Sequence, residues 1–244
     1  MQAKLFIHTD KVYAPVKPLD SFTEEEKAQT RWPHTLRHIL AISIRPERYQ
    51  RLVANAGWLG GFVRKVEGVD GRALGTIEQL TEQGIYAGGD RYNHMTRGQI
   101  ACFLSHRRAW QRVVDEQLPT ALILEDDCDL VPHPYTLRYI NDVVERELNF
   151  PWDVLYLGRN PALCETLGGP IRQHLVHTGR TWGLFAYAVT LQSATQLLES
   201  TRGPIEEPVD IRVSTMKQPR RRVGFSPIAL FIRTDEESDT EGIA

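Results

Sequence analysis

The sequence predicts an α/β fold: a single domain built on one mixed, mostly parallel sheet with helices on both faces. Two observations predict it. Short runs such as "HILAISI" (38–44), "TALIL" (120–124) and "WDVLYLG" (152–158) are apolar almost throughout, as strands buried on both faces are. Between them lie segments whose apolar residues recur at three- and four-residue spacing, the period of a helix. Strands alternating with helices argue for helices packed on both faces of a sheet.

The elements follow in order. Residues 1–37 read as an irregular leader: prolines break "YAPVKP", and "EEEK" (24–27) offers at most a short helix start. The main domain spans 38–234. Its first strand is 38–44. "RPERYQRLVANAGW" (45–58) reads as a helix, with Pro46 in its first turn and Gly57 as its stop. "FVRKVEGVDG" (62–71) reads as a second strand ending in a turn. The best-marked helix runs from Thr96 to about Gln117. Thr96 and Gln99 fit a capping box, and Ile100, Phe103, Leu104, Trp110, Val114 and Leu118 recur at helical spacing. Strands follow at 120–124, 152–158 and 184–190, then a helix at 193–200. "VGFSPIALFI" (223–232) supplies one or two short strands. Residues 235–244 read as a flexible acidic tail.

Bulk composition narrows the function. The chain has 244 residues and a net charge of −2, with 41% hydrophobic and 25% charged residues. That balance is ordinary for a globular protein and gives no global field to attract nucleic acid or membrane. No window approaches the roughly 18 apolar residues of a membrane span. The apolar segment at the start is too short for a secretory signal. Three cysteines make no disulfide framework. Reduced thiols in a cytoplasm are the simpler expectation, with the protein free or peripheral at the inner membrane surface.

"TALILEDDCDLVP" (120–132) concentrates the chemistry. A buried strand runs into Glu125, Asp126, Asp127 and Asp129. In open α/β sheets ligands sit beyond the carboxyl ends of the strands. Carboxylates this close repel unless a cation lies among them, and Mn²⁺ or Mg²⁺ suits such oxygen donors. If the segment stays extended, Glu125, Asp127 and Asp129 share one side. The competing reading is a solvated acidic turn with Asp126 or Asp127 as a cap.

The wider stretch "MTRGQIACFLSHRRAWQRVVDEQLPTALILEDDCDLVP" (95–132) resembles glycosyltransferase family 25, the lipooligosaccharide and collagen galactosyltransferase group. The likeness rests on Gly98, Cys102, Ser105 and His106 on the helix and on Leu124 to Asp127 at the strand end. "ISIRPERYQRL" (42–52), "VEGVDG" (66–71), "AYAVTLQSATQLLES" (186–200), "EPVD" (207–210) and "SPIALFIRTDEESD" (226–239) fit the family in order. Together they cover residues 39 to 239. Two features depart: Ser43-Ile44 stands where the family usually has Asn-Leu, and the leader has no recognised counterpart.

The resemblance implies a GT-A-like fold, a UDP-sugar donor and a divalent metal. It also implies inverting transfer of a hexose, galactose or glucose, to a hydroxyl of a saccharide or glycoconjugate acceptor. By analogy Asp127 is the first metal ligand, and Asp129 a second ligand or a support for it. Glu125 and Asp126 would hold ribose hydroxyls or orient the metal's waters. Ser43 joins the donor group. Arg45 and Arg48 would meet diphosphate or base, or else are surface arginines of a helix start. Asp70 would bind the uridine, or else favours a tight Asp-Gly turn. Ser105 and His106 match the family pattern, yet a histidine inside an apolar arc is commonly a satisfied buried residue. Cys102 lies one turn before His106, but Cys128 and Cys164 complete no paired zinc spacing, so it reads as a small core residue. Asp210 of "PVD" is the candidate base, with Glu207 second. Its other reading is a cap on the segment that follows.

Lys217, Arg220, Arg221 and Arg222 form a basic run that would hold a polyanionic acceptor. One alternative follows from it: a glycosyltransferase acting on a hydroxylated DNA base or nucleotide. The run would otherwise meet a lipid-linked acceptor or form a solvated loop. A second alternative is an inactive nucleotide-sugar-binding module, against which Asp126 and Asp127 both stand intact.

Overall fold

A computed structural model describes residues 23, 32–56, 62–88, 94–130, 140–141, 143–158, 165–216, 221–225 and 231–233. Most of the leader, the tail, Lys217 and Arg220 lie outside the described residues.

The core is an eight-stranded sheet in the order β2-β1-β3-β8-β5-β9-β7-β6. Its strands are β1 (His38–Ser43), β2 (Phe62–Glu67), β3 (Thr120–Glu125), β5 (Trp152–Gly158), β6 (Thr166–Pro170), β7 (Leu175–Thr178), β8 (Ala186–Thr190) and β9 (Arg221–Phe225). A separate antiparallel pair joins β4 (Cys128–Leu130) to β10 (Phe231–Arg233). In the large sheet β1 is parallel to both β2 and β3, and β5 is parallel to β9. β8 lies antiparallel between β3 and β5, and β7 lies antiparallel between β9 and β6. All the strands except β7 and β8 therefore point one way in a mixed sheet, as the sequence predicts, with three parallel and four antiparallel pairings.

The strand sequences explain the burial. Alternate side chains leave opposite faces. Leu40, Ile42, Ala121, Ile123, Val154 and Val189 point to one core. There they meet α3 (Arg97–Asp115), α4 (Leu191–Ser200) and α5 (Val209–Thr215) through Phe103, Trp110, Leu197 and Val213. Ile39, Ala41, Leu122, Leu124, Leu155 and Ala188 point to the other core. They pack on Leu52 of α1 (Pro46–Ala56) and on Ile140, Val143 and Val144 among the helical residues 140–141 and 143–146. Each large side chain so buried contributes about 1.5–3 kcal/mol. The described end of the leader joins this second core, since Leu36 is fully buried there.

α3 starts where its capping box predicts. The Thr96 side chain accepts from the Gln99 amide, and the Gln99 side chain accepts from the Thr96 amide. α2 (Ile77–Glu82) has the same device in Thr76 and Gln79, in a helix too short to show a clear apolar period. Apolar periodicity in the sequence does not mark β4, β6, β7, α5 or the helical residues 140–141 and 143–146. "VGFSPIALFI" splits between β9 and β10, which belong to different sheets.

Candidate active site

Parallel strands β1, β2 and β3 end together, and a cleft opens beyond them. It is lined from β1 and α1 by Ser43, Ile44 and Arg48, and from the turn after β2 by Gly68, Val69 and Gly71. α3 supplies Gly98, Ala101, Cys102, Ser105 and His106, and the end of β3 supplies Glu125, Asp126 and Asp127.

The acidic segment does not stay extended. Residues 126 and 127 form a turn between β3 and β4. The turn cancels the expected alternation, so Glu125, Asp126 and Asp127 all line the cleft while Asp129 does not. Asp129 instead sits in β4, in register with Ile232 of β10. The turn is held from α1: Arg48, almost fully buried, lies 3.7 Å from Asp126 Oδ1, and Arg51 donates to the Asp126 carbonyl at 3.2 Å. Beneath it the Cys128 thiol donates to the Glu125 carbonyl at 3.0 Å. Arg48 thus meets the acidic turn rather than solvent.

His106 is fully buried. Its Nε2 lies 2.9 Å from Glu125 Oε1, and its Nδ1 lies 2.9 Å from the Tyr187 hydroxyl. Trp110 Nε1 donates to the same hydroxyl at 2.8 Å. The Cys102 thiol donates to Glu125 Oε1 at 3.7 Å, and burial pushes that thiol well above its usual range. Tyr187 and Trp110 are not among the site residues expected from the sequence. A tyrosine inside the buried run "AYAV" was the available signal, because a buried phenol needs a hydrogen-bond partner.

Ser105 holds the opposite wall. Its hydroxyl accepts from the Val69 amide at 2.8 Å and donates to the Ala101 carbonyl at 2.7 Å. Arg108 donates to the carbonyls of Glu67 and Gly68. Gly71 packs so tightly that a Cβ there would meet the Gly98 backbone at 3.0 Å. Asp70 performs the turn role: its carboxylate accepts from the Arg72 amide and pairs with the Arg72 side chain, which holds its pKa below the usual aspartate range. Ser43 and Arg45 form a local clasp, the Ser43 hydroxyl donating to the Arg45 carbonyl and accepting from the Arg45 amide.

Asp210 lies in the first turn of α5, whose N-cap is Pro208. Pro208, not Asp210, therefore holds the cap position. Its Oδ2 accepts from the Gly183 amide at 2.9 Å, and its Oδ1 from the Ile211 amide at 2.8 Å. Burial raises its pKa, with the Glu125 charge adding to the rise, while those amides oppose it. Gly183 leads into Phe185, whose carbonyl accepts from the Glu125 amide, so Asp210 sits at the same end of the sheet as the cleft. Glu207 instead pairs with Arg212 Nε at 3.0 Å.

Of the basic run, the described residues Arg221 and Arg222 begin a strand away from this cleft. Arg222 is level with Val154 of β5, Val154 with Val189 of β8, and Val189 with Ala121 of β3. Arg221 and Arg222 thus begin β9 near the edge of the sheet where β3 starts, opposite Glu125. Arg222 is half-buried and donates to the Met216 carbonyl at 2.7 Å. The reason is strand register, which composition does not encode.

Carboxylates from three consecutive residues line one cleft, and hard oxygen donors of this kind fit Mn²⁺ or Mg²⁺. A second set, Cys102, His106 and Glu125, offers ligand atoms within 4.8 Å of one another. Among the described residues no helix is long and apolar enough to cross a membrane.

Comparisons with known proteins agree with the motif. The family model described as glycosyltransferase family 25 (LPS biosynthesis protein) matches residues 38–157. A glycosyltransferase 25 family member of Drosophila pseudoobscura pseudoobscura is 36% identical over 191 residues, which is 72% of this chain and 29% of that protein. Its counterpart in Drosophila melanogaster is 33% identical over 205 residues, 79% of this chain and 32% of that one. The inactive glycosyltransferase 25 family member 3 of Homo sapiens is 32% identical over 174 residues, 66% of this chain and 28% of that one. The chain thus spans under a third of the length of these relatives. A glycosyltransferase involved in glycosylation of the major capsid of PBCV-1 aligns in structure with a TM-score of 0.46 and 13% identity, covering 84% of this chain and 95% of that one.

Proposed function

This chain belongs to glycosyltransferase family 25, and we propose that it transfers a hexose from a UDP-sugar to a hydroxyl of a saccharide or glycoconjugate, with inversion and with a divalent metal. One observation carries the reading. Glu125, Asp126 and Asp127 converge with Arg48 and Ser43 in a single cleft at the ends of parallel strands, the place where open α/β sheets bind ligands. Asp127 would hold Mn²⁺ or Mg²⁺, with Asp126 beside it under the hold of Arg48. When bound, the ion would offset the charge that develops on a departing diphosphate. Glu125 would accept a hydroxyl of the donor. Asp210 would take the proton from the acceptor hydroxyl, and its raised pKa moves it toward the range that suits a general base. Its backbone donors fix its direction.

A second reading is a nucleotide-sugar-binding module without turnover. Relatives named inactive, including the human one, favour it. The DNA-base alternative rests on the basic run, of which the described members, Arg221 and Arg222, begin β9 at the end of the sheet away from the cleft. A calorimetric screen of UDP-sugars, with and without Mn²⁺, tests the proposal. Metal-dependent binding followed by UDP release supports transfer. Binding without release identifies the module, and no binding to any UDP-sugar refutes both.

A further inference from the structure

The buried polar residues beneath Glu125 have a defined direction. Trp110 Nε1 is a donor only, so the Tyr187 oxygen accepts there. The Tyr187 proton is then left for His106 Nδ1, 2.9 Å away. His106 Nδ1 must accept, which places the ring proton on Nε2. That proton points at Glu125 Oε1, an acceptor, 2.9 Å away. Every donor in the sequence Trp110, Tyr187, His106, Glu125 meets an acceptor. Trp110, Tyr187 and His106 are fully buried, so bulk solvent does not compete for these donors and acceptors. The Glu125 side chain keeps 26% exposure and lines the cleft. One edge of its carboxylate is thus fixed from below while the side chain faces the ligand space.

We propose that Trp110, Tyr187 and His106 form a one-way hydrogen-bond chain that holds Glu125 in the cleft as a pure acceptor for a hydroxyl of the donor. His106 and Tyr187 are positioning residues on this account. The inference rests on the donor-binding reading of the cleft. It also decides what the set Cys102, His106 and Glu125 does. A cation on His106 Nε2 would move the ring proton to Nδ1, facing Tyr187. The Tyr187 proton would then lose its acceptor in a fully buried place, where an unsatisfied polar group is costly. The three groups therefore serve one another, with Glu125 accepting from both Cys102 and His106.

The first test needs no turnover. Nitrogen-15 spectra of the imidazoles report which ring nitrogen carries the proton, and the His106 signals are those absent from His106→Gln. The neutral Nε2–H tautomer, unchanged by added Zn²⁺, is expected. An Nδ1–H tautomer or a doubly protonated ring overturns the chain. So does a thiolate-to-cobalt absorption band on adding Co²⁺ that disappears in Cys102→Ser, because it would make the set a metal site. The second test measures UDP-galactose affinity by calorimetry with Mn²⁺ present. His106→Leu should weaken binding about 10–100-fold, the usual effect of removing a group that orients a ligand-holding residue. His106→Gln keeps a donor toward Glu125 and should recover most of that loss. Equal losses in the two variants, with unchanged melting temperatures, overturn the positioning role. If the wild type binds no UDP-sugar at all, the donor reading fails, and the tautomer spectrum still upholds or overturns the chain by itself.

Discussion

Replacing Asp210 by asparagine separates a catalytic base from a structural clamp, and the structure sets the magnitude of each effect. Both carboxylate oxygens accept backbone N–H groups, from Gly183 and from Ile211. Asparagine has only one oxygen, so its NH₂ must face one of those amides. The variant loses one hydrogen bond to a charged group, about 1.5–3 kcal/mol. For a protein of this size that is a fall of roughly 3–12 °C in melting temperature, at about 2–4 °C per kcal/mol. The pKa of Asp210 adds a pH dependence. Burial raises it above the ordinary 3.8, so folding favours the protonated form. The resulting stabilisation is complete below the ordinary value and is lost as pH rises through the raised one. Asparagine cannot titrate, so the lead of the wild type in melting temperature should widen as pH falls through that window. Catalysis responds separately. Loss of a general base costs about 10²–10⁴-fold in turnover, or about 2.7–5.4 kcal/mol of barrier. UDP release from a UDP-sugar with acceptor, measured well below the variant's melting temperature, reads this directly, and calorimetric UDP affinity should stay near the wild-type value. If Asp210→Asn keeps more than about a tenth of wild-type turnover, a smaller loss than a missing base produces, Asp210 is a clamp between α5 and the segment at Gly183 and nothing more.

Further outcomes follow from the same geometry. Asp127→Asn should abolish the EDTA-sensitive part of UDP-sugar binding in calorimetry while leaving the circular dichroism spectrum and melting curve close to wild type; wild-type affinity that ignores EDTA would remove the metal from the scheme. Gly71→Ala forces a Cβ to 3.0 Å from the Gly98 backbone, which has no flexible end to yield, so urea titration should show a loss of about 1–3 kcal/mol and donor affinity should fall with it. Arg222→Ala should leave UDP-sugar affinity unchanged, since Arg222 stands level with Ala121 rather than Glu125; a large loss of donor affinity would contradict the strand register.

What the sequence by itself determined is local and periodic. The apolar runs mark β1, β3 and β5, because a strand covered on both faces buries most of its residues and favours apolar ones. Thr96 and Gln99 mark the start of α3, because a capping box is a contact between residues three apart. The acidic cluster is legible as the end of a strand, and with it the side of the sheet where the site lies. Tertiary structure decided the rest. Nothing local tells that β8 enters antiparallel between β3 and β5, yet that insertion carries Tyr187 to within 2.9 Å of His106, 81 residues away in the chain. The turn at 126–127 is held by Arg48 and Arg51 from α1, and it is this turn that brings Asp126 into the cleft and leaves Asp129 in β4. Arg222, expected in a basic run that would hold a polyanionic acceptor, lies in a strand that begins at the end of the sheet opposite Glu125, because sheet register depends on which strands pair. Such contacts join residues whose separation in sequence carries no period, so only the folded chain brings them together.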